Sequence, residues 1–301
     1  MLRSLTCLMC IAVSVFANDV GFADKLNVEL QDGDRVVFLG GTLVEREQRY
    51  GDWETALTLL NADKNITFRN LGWSGDTVWA ESRGIFDPPA VGYRRMIEQV
   101  RGLQPTVMIL CYGNTEAAAG ESKRPAFLKQ YGQLLDDLQA ATETETRFVL
   151  LSPILQCPVI APKAVVEYQN RLIGYYAEGV RQLASDRGVT YVSQLNLLSR
   201  YQNVDGNNRA TDDGIIPNGV GYRLSANRIW GGPMAEEFSE PLRQAIVLKN
   251  RYYFQQWRPQ NITYLTGFRK HEQGQNAAEL AEFNALIAKQ ERQIAELKSH
   301  R

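Results

Sequence analysis

Arg35-Val36-Val37-Phe38-Leu39-Gly40-Gly41-Thr42-Leu43 carries four apolar residues in unbroken succession, then two glycines and a threonine. A strand with one wet face would alternate polar and apolar residues; a short continuous run marks a strand buried on both faces, as in a parallel sheet. The same pattern recurs at Ile66-Thr67-Phe68, Thr106-Val107-Met108-Ile109-Leu110, Phe148-Val149-Leu150-Leu151 and Val189-Thr190-Tyr191-Val192. Helical stretches fall between them, from about Trp53 to Leu60, Tyr93 to Leu103, Pro125 to Ala141 and Ala164 to Arg187. Strand and helix in alternation predict a doubly wound α/β sandwich. The right-handed crossover rule then predicts five parallel strands in the order 2-1-3-4-5.

Four blocks follow these strands: Gly40-Gly41-Thr42-Leu43, Asn70-Leu71-Gly72-Trp73-Ser74-Gly75-Asp76-Thr77, Tyr112-Gly113-Asn114-Thr115-Glu116 and Asp212-Asp213-Gly214-Ile215-Ile216. Their positions converge on the carboxyl edge of the sheet, where open α/β folds form ligand sites. In these blocks the chain resembles the SGNH (GDSL-type) hydrolase superfamily, over roughly Asp32 to Trp230. The resemblance implies a flavodoxin-like three-layer sandwich and esterase, lipase or carbohydrate-deacetylase activity without a cofactor. It places Thr42 where the family has its nucleophilic serine and Gly72 at an oxyanion-hole N–H. Thr115 stands in the place of the oxyanion asparagine, and Asp213 opens the Asp-x-x-His block, whose histidine is replaced by Ile216.

The replacements have chemical consequences. A threonine hydroxyl can attack a carbonyl, but its β-methyl restricts χ1 and crowds the approach. One missing oxyanion donor costs about 10²–10³ in rate, and Asn114 would compensate if the loop were shifted by one residue. The absent base matters most, because an alcohol near its free pKa needs a partner to take its proton. Loss of such a base from a known triad lowers turnover by about 10⁶.

The chain has two histidines, His271 and His300, and both follow the four blocks. His271 lies in the polar stretch Gly267 to Asn276, behind the aromatic Tyr252-Tyr253-Phe254 and Trp257-Arg258-Pro259. That tail resembles the one behind the domain in a secreted bacterial branch of the family. Either it folds over the sheet edge and brings His271, or Arg269, into the cleft as a relocated base, or it packs beside the domain as a solvated basic patch. Other polar residues divide in the same way. Glu45 and Glu54 fit either the cleft near Thr42 or a solvated helix face, Asp76 and Thr77 suit a helix cap, and Glu116 suits an acceptor behind the site.

The 301 residues divide into a leader at 1–23, an α/β domain at 24–233 and a helical C-terminal extension at 234–301. Arg3 and the apolar run Leu5 to Phe16 form the leader, too short for a comfortable membrane span, so cleavage and a secreted or periplasmic location are expected. In the extension Leu280, Phe283, Ile287, Ile294 and Leu297 form one helical stripe, which packs back on the domain or pairs two chains into a homodimer. With 33 Lys and Arg against 34 Asp and Glu, bulk charge recruits neither nucleic acid nor anionic lipid. No His and carboxylate set has metal-ligand spacing, and Cys111 and Cys157 read as buried thiols, with one disulfide between them the alternative in an oxidising compartment. Two functions fit: an exported hydrolase of esters or acetylated sugars working through Thr42, Gly72, Asn114 or Thr115, Asp213 and His271, or a non-catalytic protein that binds a glycan or acylated ligand.

Overall fold

A computed structural model describes residues 29–198, 209–231 and 239–299. The predicted leader, at 1–23, and His300 lie outside them. Strands β1 (Arg35–Gly40), β2 (Thr67–Asn70), β3 (Val107–Cys111), β4 (Arg147–Leu151) and β5 (Thr190–Val192) form one parallel sheet in the order β2-β1-β3-β4-β5, as expected from the sequence. The continuous apolar runs are explained by what covers them. Val37 and Leu39 of β1 face a core built with α3 (Pro89–Leu103), α5 (Arg124–Ala140) and α6 (Lys163–Arg187). Val36 and Phe38, one residue out of phase, face α1 (Thr42–Glu47), α2 (Asp52–Leu60) and α7 (Gly219–Trp230). Period-two alternation is thus present, with an apolar layer on either side.

The register sets where the site forms. Gly40 pairs with Cys111, Cys111 with Leu151 and Leu151 with Val192, so four strands end at one level and release their loops together. Gly40 has no room for a side chain, since a Cβ would meet the carbonyl of Cys111 and the Val44 side chain. The core beneath α2 centres on Trp53, fully buried, whose indole N–H donates to Ser225 Oγ at 2.9 Å. Beside it Glu47 is also fully buried and burial pushes its carboxyl up to about 8, so it sits in the core as a neutral acid.

The C-terminal extension is helical. Helix α8 (Glu240–Trp257) packs on the domain, two short helices α9 (Ile262–Leu265) and α10 (Lys270–Gln273) follow, and α11 (Phe283–Ser299) returns along α8. Ile287 of the predicted stripe is buried, and Leu280, Phe283, Ile294 and Leu297 are half-buried. Cys111 and Cys157 are buried, and no disulfide joins them. Among the described residues no helix is long and apolar enough to cross a membrane.

Candidate active site

Loops from the carboxyl ends of the strands enclose a cleft of about 180 Å³. Gly41, Thr42 and Leu43 come from the turn after β1, Asp76 from the loop after β2, and residues 111–116 from the end of β3 into helix α4 (Asn114–Ala117). Ile154 and Gln156 follow β4, and Ile215 and Ile216 precede α7. A second hollow of about 420 Å³, lined by Arg46, Tyr50, Asp212 and Asp213 among others, shares Thr42, Ile215 and Ile216 with the first. Thr42 therefore stands where two hollows meet.

Thr42 is the first residue of α1, and its hydroxyl oxygen accepts the N–H of Gly75 at 2.9 Å. Gly75 has φ +74°, a backbone conformation that glycine adopts without steric penalty. Its loop is pinned at the two residues before it: Trp73 N–H donates to Gly40 O at 2.9 Å and Ser74 N–H to Glu45 Oε2 at 2.5 Å.

Gly72 has another job than the one the family resemblance gives it. Its N–H donates to Asn70 Oδ1 at 2.8 Å, it does not line the cleft, and a Cβ there would meet the backbone of Val44 and Glu45 at 2.7 Å or closer. It is the glycine that lets the end of β2 lie against α1. The N–H aimed at Thr42 comes from Gly75, three residues later in the same block.

Asn114 lines the cleft with its amide clasped by the backbone of Ile154, which leaves only the second Nδ2 hydrogen to serve as an oxyanion donor. Nδ2 donates to the Ile154 carbonyl at 2.8 Å and Oδ1 accepts the Ile154 N–H at 3.0 Å. Thr115 does line the cleft, and its hydroxyl lies 4.0 Å from where a Cβ on Gly41 would be. Asp213 turns Oδ1 onto its own loop, accepting the N–H groups of Ile215 at 2.7 Å and Ile216 at 2.9 Å and the Thr211 hydroxyl at 3.1 Å. Burial raises its pKa, but these hydrogen bonds outweigh burial and hold the carboxyl below its ordinary value, so Asp213 stays ionised.

Glu116 and Asp76 are buried carboxylates at the cleft, and each is engaged. Glu116 accepts the N–H of Gly113 at 2.8 Å and of Val78 at 3.0 Å, and burial lifts its carboxyl to about 7. Asp76 pairs with Arg83 Nε at 2.6 Å instead of capping a helix; burial raises its pKa and Arg83 only partly offsets that. Thr77 Oγ1 accepts the Trp79 N–H at 3.2 Å and caps the turn there.

His271 is not in the cleft. It sits on α10 with its side chain 75% exposed, 3.6 Å from Glu272, and Arg269 is held by Glu272 and Tyr264. His271→Ala is therefore expected to leave aryl acetate hydrolysis and ligand binding at the wild-type level; a loss of hydrolysis with binding retained would return His271 to the mechanism. The tail does touch the site's supports, through two residues that sequence reasoning passed over. Arg258 contacts Glu45, with Nη1 at 3.1 Å from Oε2, and Lys249 is paired with Glu54. Glu45 and Glu54 thus belong neither to the cleft nor to a solvated face.

A parallel 2-1-3-4-5 sandwich thus gathers a hydroxyl, a glycine N–H and a loop carboxylate at its carboxyl edge, where open α/β folds form ligand sites. The model of the GDSL-like lipase/acylhydrolase family matches residues 32–224, and the chain belongs to that family. No curated protein matches it. Among solved structures, one described as a GDSL-like lipase from Parabacteroides merdae is similar at 17% identity and a TM-score of 0.53, over 69% of this chain and 98% of that one. An acetylxylan esterase from Geobacillus stearothermophilus is similar at 16% identity and a TM-score of 0.48, over 67% of this chain and 94% of that one.

Proposed function

We propose that this chain is an exported, ligand-binding member of the family that holds an ester or acetylated carbohydrate in the Thr42 cleft and turns it over slowly. One observation carries the reading. The place that the family resemblance gives to the general base is Ile216, and among the described residues no imidazole lines the cleft. Thr42 then has a donor, Gly75, but no group to take its proton, and an alcohol so placed is a poor nucleophile. The two hollows that share Thr42, of about 180 and 420 Å³, leave room for a ligand group on either side of its hydroxyl.

The hydrogen bond from Gly75 to Thr42 favours a second reading, a working hydrolase whose attacking oxygen is already set beside an oxyanion donor. Turnover of an aryl acetate separates the two, measured beside calorimetric binding of acetylated xylooligosaccharides. The binding reading expects measurable affinity, a rate far below that of a family member with an intact triad, and little further loss in Thr42→Ala. A rate comparable to an intact enzyme that collapses in Thr42→Ala would sink it.

A further inference from the structure

We propose that Arg258, in the C-terminal extension, is the positioning residue for the loop that carries the Gly75 N–H to Thr42. The proposal rests on the reading of Thr42 and Gly75 as the ligand-facing pair. A continuous chain of contacts supports it. The Arg258 guanidinium lies over the Trp73 ring, 3.6 Å from its centroid, and donates to Glu45 Oε2 at 3.1 Å. The same Oε2 accepts the Ser74 N–H at 2.5 Å, and the next residue's N–H, that of Gly75, donates to the Thr42 hydroxyl. Glu45 stands one turn after Thr42 on α1, so Arg258 grips the loop at Trp73 and, through Glu45, ties it to the helix that opens with Thr42.

The cation adds to the Ser74 hydrogen bonds in favouring the ionised, accepting form of this carboxylate. Glu45 is buried, which raises its pKa; the hydrogen bonds from Ser74 and the charge of Arg258 outweigh that, and its carboxyl lies below the usual range. The only other cation facing it among the described residues is Arg49, at 3.7 Å with its side chain 57% exposed, too solvated to replace Arg258. Asp76 and Arg83 also face Arg258 electrostatically, and Arg83 lies on Trp73 at 5.6 Å from the ring centroid, so the indole is contacted by two guanidinium groups. Without Arg258, Glu45 becomes easier to protonate and a weaker acceptor for Ser74, and Trp73 loses the nearer of its two guanidinium contacts. Arg258 itself is held in place at the end of α8, its N–H donating to the Phe254 carbonyl at 2.9 Å.

Arg258 also lies beyond the stretch that matches the family, residues 32–224, so a feature of the site depends on a segment that match does not include.

Amide hydrogen exchange and carboxyl NMR on the whole chain, read without substrate, test this apart from the ester-ligand reading. In Arg258→Ala the Ser74 and Gly75 amides are expected to exchange roughly 10- to 100-fold faster, the loss of one charge-assisted hydrogen bond. The amides of β3 should keep their protection, and the Glu45 carboxyl should titrate at higher pH than in the wild type. Arg258→Lys, which keeps the charge but not the planar fork, should fall between the two and covers the case in which the alanine variant fails to fold. Glu291→Gln cuts another tail contact, Arg69–Glu291 at 2.7 Å, and should leave Ser74 and Gly75 protected. Unchanged exchange at Ser74 and Gly75 in both Arg258 variants would overturn the proposal, as would equal loosening in Glu291→Gln, which would mean that tail docking in general, and not Arg258, holds the loop.

Discussion

Ile216→His is expected to raise aryl acetate hydrolysis by about 10²- to 10⁴-fold, the contribution of a positioned general base. Position 216 lines both hollows that meet at Thr42, so an imidazole placed there enters the space beside the hydroxyl. Asp213 already holds the backbone of residue 216 through Oδ1 at 2.9 Å and is ionised, which leaves Oδ2 to orient the ring. The gain should appear on a limb that rises with pH through about 6.5, where imidazole loses its proton and becomes able to accept one. Adding Thr42→Ala should abolish the gain. If a folded Ile216→His variant shows no increase over the wild type, Thr42 is not placed to attack, and the binding function stands without residual chemistry.

Lys249→Met is expected to destabilise the protein by about 3–5 kcal/mol, because removing one partner of a buried ion pair strands the other. The side chains of Lys249 and Glu54 are 2% and 4% exposed, and Lys249 Nζ also donates to the Phe68 carbonyl at 3.1 Å. Burial depresses the lysine's pKa and the Glu54 carboxylate works against that, so the pair has value mainly as a pair. The double variant Lys249→Met with Glu54→Leu should therefore recover most of the loss, an apolar pair of similar size being close to neutral there. Urea unfolding followed by tryptophan fluorescence reads both; equal losses in the single and double variants would show that packing, not stranded charge, sets the cost.

The sheet was legible because its signal is local and redundant. Five short runs such as Val36 to Leu39 need two covered faces, and the crossover rule leaves few ways to join them. The convergence of Thr42, Thr115 and Asp213 at one edge followed from that topology. What the sequence hid depends on direction and not on residue type. Gly72 and Gly75 lie in one block and both are glycine; only the +74° φ of Gly75 and the Asn70 side chain on Gly72 separate their roles. Asn114 is polar and beside the site, yet its amide faces Ile154. His271 drew notice because histidines are scarce, whereas nothing in the sequence sets Arg258 and Lys249 apart from the other cations of the extension. Their importance comes from Glu45 and Glu54, more than 190 residues earlier, and no local pattern encodes a contact of that span.

The same two ion pairs make the extension hard to discard. Glu45 and Glu54 lie inside the family-matching stretch, while the cations that face them, Arg258 and Lys249, lie outside it. Once the acids are buried against the tail's cations, a change that removes either cation strands a carboxylate in low dielectric, and such an intermediate is penalised before any benefit of a shorter chain appears. Loss of the tail must then wait for changes at positions 45 and 54 that are themselves unfavourable while Arg258 and Lys249 remain. Two buried charges thus act as a ratchet on sequence change, turning an appendage into a segment that the domain no longer evolves without.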